Sequence, residues 1–148
     1  MGRPARGHFN VVSDDAVFGD GCQIKSFCDI GPGCTFGTGV LLESYVRLGS
    51  NCTLSDDVTL KQGVIGTKDM VMEDGVFVGP QTTFLRSDHR GKTKTGTHLG
   101  KGAFIGANCV IMPGITIGPG VVVGALSFVN RDLTEPGVYL GRPARKKG

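Results

Sequence analysis

The stretch Ile105-Gly-Ala-Asn-Cys-Val-Ile-Met-Pro-Gly-Ile-Thr-Ile-Gly-Pro-Gly-Val-Val-Val-Gly-Ala-Leu126 decides the fold. Every sixth residue is aliphatic: Ile105, Ile111, Ile117 and Val123. Glycine follows Ile105, Ile117 and Val123, and a small or apolar residue lies four places after each aliphatic: Cys109, Ile115, Val121 and Ser127. An α-helix repeats near 3.6 residues and a flat strand near 2, so a strict period of six fits neither alone. It fits a parallel β-helix in which each hexad is one short strand and one turn.

The same phase runs backwards through the chain. Phe18, Ile24, Ile30, Phe36, Leu42, Leu48, Leu54, Leu60, Met72, Val78 and Phe84 hold it, with Gly66 the one break in the apolar rule. It returns at Leu99 after a nine-residue insertion, Arg90–His98, and continues to Val129. Eighteen hexads at three per turn predict about six coils, stacked ~4.8 Å apart as neighbouring strands are, with an aliphatic column inside and capped ends. The domain reading is an arm over residues 1–17, a repeat over 18–134 with a loop at 85–98, and a basic tail over 135–148. The loop is rich in Gly, Thr and Lys and lacks an apolar anchor, and a long loop on a rigid scaffold is where function is usually carried. The pentapeptide Gly-Arg-Pro-Ala-Arg occurs twice, at Gly2–Arg6 and Gly141–Arg145.

Composition narrows the class. The 148 residues suit one domain, and 25 glycines with no tryptophan point to many turns around a thin core. A formal charge of +3 is too mild for a nucleic-acid protein. No apolar run approaches the ~18 residues of a membrane span, and the N-terminal segment shows no apolar signal region; a cytoplasmic protein is expected. Cys22, Cys28, Cys34, Cys52 and Cys109 all occupy the fifth hexad position. That phase predicts packing inside the coil, not a disulfide framework, and no metal is expected.

With these residues in hand, the chain resembles the left-handed parallel β-helix acyltransferases of the hexapeptide-repeat superfamily, over about Phe18 to Lys146. Ile24-Lys-Ser-Phe-Cys-Asp-Ile-Gly31, Val76-Phe-Val-Gly-Pro-Gln-Thr-Thr-Phe84, Leu99-Gly-Lys-Gly-Ala-Phe-Ile-Gly-Ala-Asn-Cys-Val-Ile111 and Gly141-Arg-Pro-Ala-Arg145 are similar to bacterial enzymes that N-acetylate nucleotide-linked amino sugars. The resemblance implies acetyl-CoA as co-substrate, a homotrimer with each active site between two subunits, a nucleotide-linked sugar acceptor, and a role in surface polysaccharide synthesis. A departure follows Phe84: Leu85-Arg-Ser-Asp-His-Arg-Gly91 carries an Asp-His pair where that subfamily often has Thr-Asn-Asp and Pro-Arg. A histidine near this place is typical of the O-acetylating branches. Acetylation of a sugar hydroxyl is therefore the alternative, and a non-catalytic β-helix scaffold a further one.

Acetyl transfer needs a nucleophile, a proton acceptor and donors for the thioester oxygen. Histidine suits the proton transfer near neutral pH. Of His8, His89 and His98, the sequence favours His89 as base, partnered by Asp88 or by another carboxylate such as Glu73, with His98 next. Lys61, Gln62, Arg86 and Asp88 are the acceptor-side candidates. Ala107 and Ala125, 18 residues apart beside Gly106 and Gly124, offer backbone N–H groups to pantetheine. Arg142 and Lys146 in the tail are the phosphate candidates. A carbonic anhydrase of this fold would need three zinc-binding histidines; only His89 and His98 are suitably located. The thin prism has three flat faces, so a site on one subunit would be shallow, which also favours a trimer.

Overall fold

The computed structural model describes residues 2–148 and is all β, built from two-residue strands that recur every six residues. Each strand pairs in parallel with the strand 18 residues on, so Gln23 lies beside Leu41 and Thr35 beside Thr53. Across the loop the step becomes 27, with Val71 beside His98. Three flat faces result. The first carries Ala5–Arg6, Gln23–Ile24 and their successors, the second Val11–Val12 onward, the third Val17–Phe18 onward.

Local chemistry explains the hexad. The aliphatic position and the small fifth position both point inward, so Ile24, Leu42, Leu60, Ile105 and Cys109 are buried. The fourth position adopts a left-handed backbone, as at Gly33 (φ 76°), Asn51 (φ 59°) and Asn108 (φ 54°), a region that Gly, Asn and Asp enter most readily. Phe9, Phe27 and Tyr45 adopt it too, at φ 60°, 61° and 65°. Their rings stack at 5.2 and 5.0 Å, a favourable contact that offsets backbone strain. The second position is often Gly because the coils touch there: a Cβ on Gly106 would stand 2.6 Å from the Ala125 nitrogen.

Two expectations change. The first face holds eight parallel strands, from Ala5–Arg6 to Gly137–Gly141, so there are about eight coils instead of six, roughly 34 Å tall. Residues 2–17 are not an arm but the first coil, with Ala5 beside Gln23 and Val11 beside Asp29. The hexad rule missed them because an end coil has one uncovered side, so Arg6 can stand at the inward position and lay its guanidinium 5.8 Å from the centre of the Phe18 ring. At the other end, the tail is an antiparallel hairpin, Gly137–Gly141 with Ala144–Lys146. Its entry slips phase: Tyr139 sits beside Val123, a step of 16 instead of 18. Leu133, Tyr139 and Ala144 are buried and close the top. The two copies of Gly-Arg-Pro-Ala-Arg thus lie at opposite ends of the prism.

Candidate active site

The insertion leaves the corner between the second and third faces. It forms a hairpin in which Ser87 and Thr93 pair and the Lys94 amide donates to the Arg86 carbonyl. Asp88 builds its turn, accepting from the amides of Arg90 (2.8 Å) and Lys92 (2.9 Å). These bonds, the Lys92 amide first, hold the Asp88 carboxyl below its ordinary value. His89 lies at the exposed tip of this hairpin and has no hydrogen-bond partner among the described residues. Asp88 is therefore occupied with the turn and does not orient His89.

The orientation that His89 lacks is found at His98. This residue sits on the third face beside Val71, with its ring outward, and its Nε2 is 2.5 Å from Glu73 Oε2. Both side chains are about half exposed. A carboxylate on Nε2 holds that nitrogen as the N–H, which leaves the Nδ1 lone pair free to take a proton. Glu73 follows Met72 on the coil below, so the insertion is what brings His98 over it.

The corner between the first and second faces carries the other candidates. Lys61 is paired with Glu43 at 2.5 Å, and Gln62 beside it is exposed. Two coils higher, Gly106-Ala107 stacks beneath Gly124-Ala125. At some lower coils the amide at the third hexad position is capped by a side chain from the next coil. The His8 amide donates to Ser26 Oγ, Thr38 to Asp56 Oδ1, and Asp56 to Asp74 Oδ1, at 2.8–3.0 Å. Alanine at 107 and 125 supplies no such acceptor, and neither amide has a partner among the described residues. A ligand carbonyl can occupy the place that Asp or Ser oxygens take lower down. Leu126, which the sequence reading passed over, stands beside them with φ 64° and 65% exposure. Its signal was a bulky residue at the position that usually holds Gly, Asn or Asp; such strain gathers at functional sites.

The remaining candidates do not converge on either group. Arg86 is exposed at the base of the hairpin, and Arg142 is exposed in the turn of the capping hairpin. Lys146 Nζ lies 3.4 Å from Glu135 Oε2. Among the described residues, no cluster of three or more His, Cys, Asp or Glu could hold a metal ion, and no helix is long and apolar enough to cross a membrane. Burial pushes the Cys28 and Cys109 thiols up, and a shared hydrogen bond with Cys34, with burial, pushes Cys52 up. Such thiols are poor nucleophiles.

The two groups lie on opposite sides of the prism, since the first–second corner faces away from the third face. A thioester bound at Ala107 and Ala125 is separated from His98 of the same chain by the whole aliphatic core.

Residues 96–131 match the family described as bacterial transferase hexapeptide (six repeats). The chain is 28% identical over 129 residues to the bifunctional protein GlmU of Nitratidesulfovibrio vulgaris, covering 87% of this chain and 28% of that one. It thus spans little more than a quarter of that relative. It is 50% identical over 52 residues to a dTDP-3-amino-3,6-dideoxy-α-D-galactopyranose 3-N-acetyltransferase of Aneurinibacillus thermoaerophilus, covering 35% of this chain and 27% of that one. Among solved structures, it is similar in fold to PerB of Caulobacter crescentus in complex with CoA and GDP-perosamine, with TM-score 0.68, 24% identity, and coverage of 94% of this chain and 57% of that one. The hexapeptide-repeat resemblance read from the sequence is thereby borne out.

Proposed function

We propose that the protein is an acetyl-CoA-dependent N-acetyltransferase acting on a nucleotide-linked amino sugar, with His98 instead of His89 as the proton acceptor. The observation that carries the choice of an amine acceptor is the similarity to an amino-sugar N-acetyltransferase. Acyl transfer itself is supported by the His98–Glu73 pair at the root of the insertion and by the open Ala107 and Ala125 amides. The amine lone pair attacks the thioester carbonyl. The C–S bond breaks as the C–N bond forms, His98 Nδ1 takes the amine proton, and the imidazolium returns it to the departing CoA thiolate.

Because the two half-sites lie on opposite sides of one chain, the reading requires a second copy to present its Ala107–Ala125 corner to His98. The homotrimer supplies that neighbour. An outer apolar column on the first face, Phe77, Phe104, Val122 and Val138, is a surface suited to burial between copies. Phe77 and Phe104 stack at 4.9 Å within it. The product belongs to surface polysaccharide synthesis, and acetyl-CoA, an intracellular metabolite, implies a cytoplasmic location.

The second reading is acetylation of a sugar hydroxyl. The His98–Glu73 pair favours it, because a hydroxyl needs a base more than a neutral amine does. The test incubates the protein and acetyl-CoA with nucleotide-linked amino sugars and with their hydroxyl counterparts, following thiol release. Release only with amino sugars supports the first reading, and release only with hydroxyl acceptors the second. No release with any acceptor, with no rise in melting temperature on adding CoA, leaves a non-catalytic scaffold.

A further inference from the structure

A cleft of about 510 Å³ lies between the loop hairpin and the upper coils, at the corner between the second and third faces. That volume is in the usual range for a small-molecule site. Its floor is Met112 to Ile115, and Lys92, Lys94 and Arg131 stand around it. The hairpin is set onto the coil by one glycine. A Cβ on Gly114 would lie 2.9 Å from Lys94 Cδ, so the Lys94 stem lies along that glycine and its ammonium is carried to the cleft.

Like most Lys and Arg side chains of the chain, the cations of this cleft have no carboxylate within 4 Å; what sets them apart is that they gather around one cavity. Lys61, Lys68, Lys146 and Arg47 each have a carboxylate partner within 4 Å. Among the described residues, Lys92, Lys94 and Arg131 have none. Two carboxylates also line the cleft, but each accepts from backbone: Asp88 from the Arg90 and Lys92 amides, and Asp132 from the Thr116 amide at 2.8 Å. Both carboxylates stay charged, but neither lies within 4 Å of a cation, and the three cations outnumber them at the cavity. Thr116 lies directly over His98 on the third face. The cleft thus opens one strand spacing, ~4.8 Å, above the His98–Glu73 pair.

We propose that this cleft is a diphosphate-binding site, with Lys92, Lys94 and Arg131 as its ligands. Three cations over an apolar floor fit a compact dianion attached to a less polar body, and Arg and Lys are the side chains that pair with phosphate. The proposal moves the phosphate site from Arg142 and Lys146 of the capping hairpin to the loop. It deepens the acetyltransferase reading and rests on it for the identity of the ligand, because CoA and a nucleotide-linked sugar both carry a diphosphate.

The test separates the site from the activity. Inorganic pyrophosphate is titrated into the wild-type protein and into Lys92→Ala/Arg131→Ala, with Lys25→Ala as a surface-charge control. Binding is expected in the wild type and the control, and at least tenfold weaker in the double variant. Pyrophosphate that fails to bind, or binds wild type and double variant equally, overturns the proposal, whatever the acetyl-transfer assay gives. CoA and a nucleoside diphosphate are then titrated separately. Weakening confined to the nucleoside diphosphate assigns the site to the acceptor, and weakening confined to CoA assigns it to the donor. A protein that binds pyrophosphate at these residues but transfers no acetyl group keeps the site and loses the reading of its activity.

Discussion

The lower and upper coils follow one 18-residue rule but use it differently. Below the loop, the fifth hexad position holds Cys22, Cys28, Cys34, Val40, Val46, Cys52, Val58 and Val64, all buried and none carrying a hydroxyl. Some of the turn amides there, those of His8, Thr38 and Asp56, are closed by Ser and Asp side chains from the next coil. Near and above the loop, the same inward position holds Thr82, Thr97 and Ser127 among the apolar Ala103, Cys109, Ile115 and Val121. The matching turns carry Ala107 and Ala125, which close nothing. The lower coils close some of their turn donors with side chains; the upper coils leave the Ala107 and Ala125 donors open and place the Thr82, Thr97 and Ser127 hydroxyls at the inward position. On a repeat scaffold, a site can be made by withdrawing the side chains that elsewhere satisfy the backbone.

The largest expected effect tests whether chemistry belongs to the upper half. His98→Ala should lower kcat by ~10²–10⁴, the usual worth of a positioned general base, with CoA affinity nearly unchanged. His89→Ala should lose about tenfold or less, because an unpartnered side chain at a hairpin tip is not held against a reacting atom. Glu73→Gln should shift the pH profile of kcat more than KM, since it alters the His98 ring and touches no ligand. Equal rates for His98→Ala and wild type with every acceptor would end the assignment.

The next test concerns the lower half as scaffold. At Gly66, the one break in the apolar phase, a Cβ would stand 2.6 Å from Leu48 Cδ2 and 3.3 Å from Met70 Sδ. The gap in the pattern is therefore filled by its neighbours, and Gly66→Val overpacks it. A loss of about 1–3 kcal/mol is expected, read as a lower melting temperature, with kcat per folded molecule retained. An activity loss without a stability loss would show that the lower coils do more than support.

The open amides are tested by closing one. Ala125→Asp gives the Ala107 amide the acceptor that Asp56 gives Thr38. CoA binding by calorimetry should weaken about tenfold, equivalent to ~1.4 kcal/mol, while the melting temperature holds or rises. Unchanged affinity would mean that CoA does not use this corner.

The fold was legible because its physical rule is local: an inward aliphatic every six residues, and a turn that admits Gly, Asn or Asp. Legibility failed at both ends, where Arg6 and Tyr139 replace aliphatics because only one side of an end coil is covered. The open amides were legible too, since Ala107 and Ala125 repeat at the coil period. The proposed base differs from the one the sequence favours for a different reason. Asp88 and His89 are adjacent in sequence, whereas His98 and Glu73 are 25 residues apart and meet only because the loop resets the register. The cleft cations could not be assigned from composition, since only folding of the hairpin onto Gly114 shows which lysines face a cavity.

The smallest effect concerns Thr97, next to the proposed base. Its side chain is fully buried, and its Oγ1 has no hydrogen-bond partner, whereas Thr82 Oγ1 donates to the Gly106 carbonyl at 2.8 Å and Ser127 Oγ to the Gly124 carbonyl at 2.7 Å. A buried hydroxyl without a partner costs about 1–3 kcal/mol, and replacing it with an apolar group of the same shape removes that cost. Thr97→Val should therefore raise stability by ~1 kcal/mol, or about 2–4 °C in melting temperature for a chain of this size. Thr82→Val, which breaks bonds at both its hydroxyl and the Cys109 amide, should move the other way. Lower stability in Thr97→Val would mean that the hydroxyl is satisfied in solution, and the contrast between the halves would lose one of its terms. Higher stability with unchanged kcat would make Thr97 a defect without function. Higher stability with reduced kcat would tie the unsatisfied hydroxyl to the setting of His98, and the polar interior of the upper coils would then belong to the site.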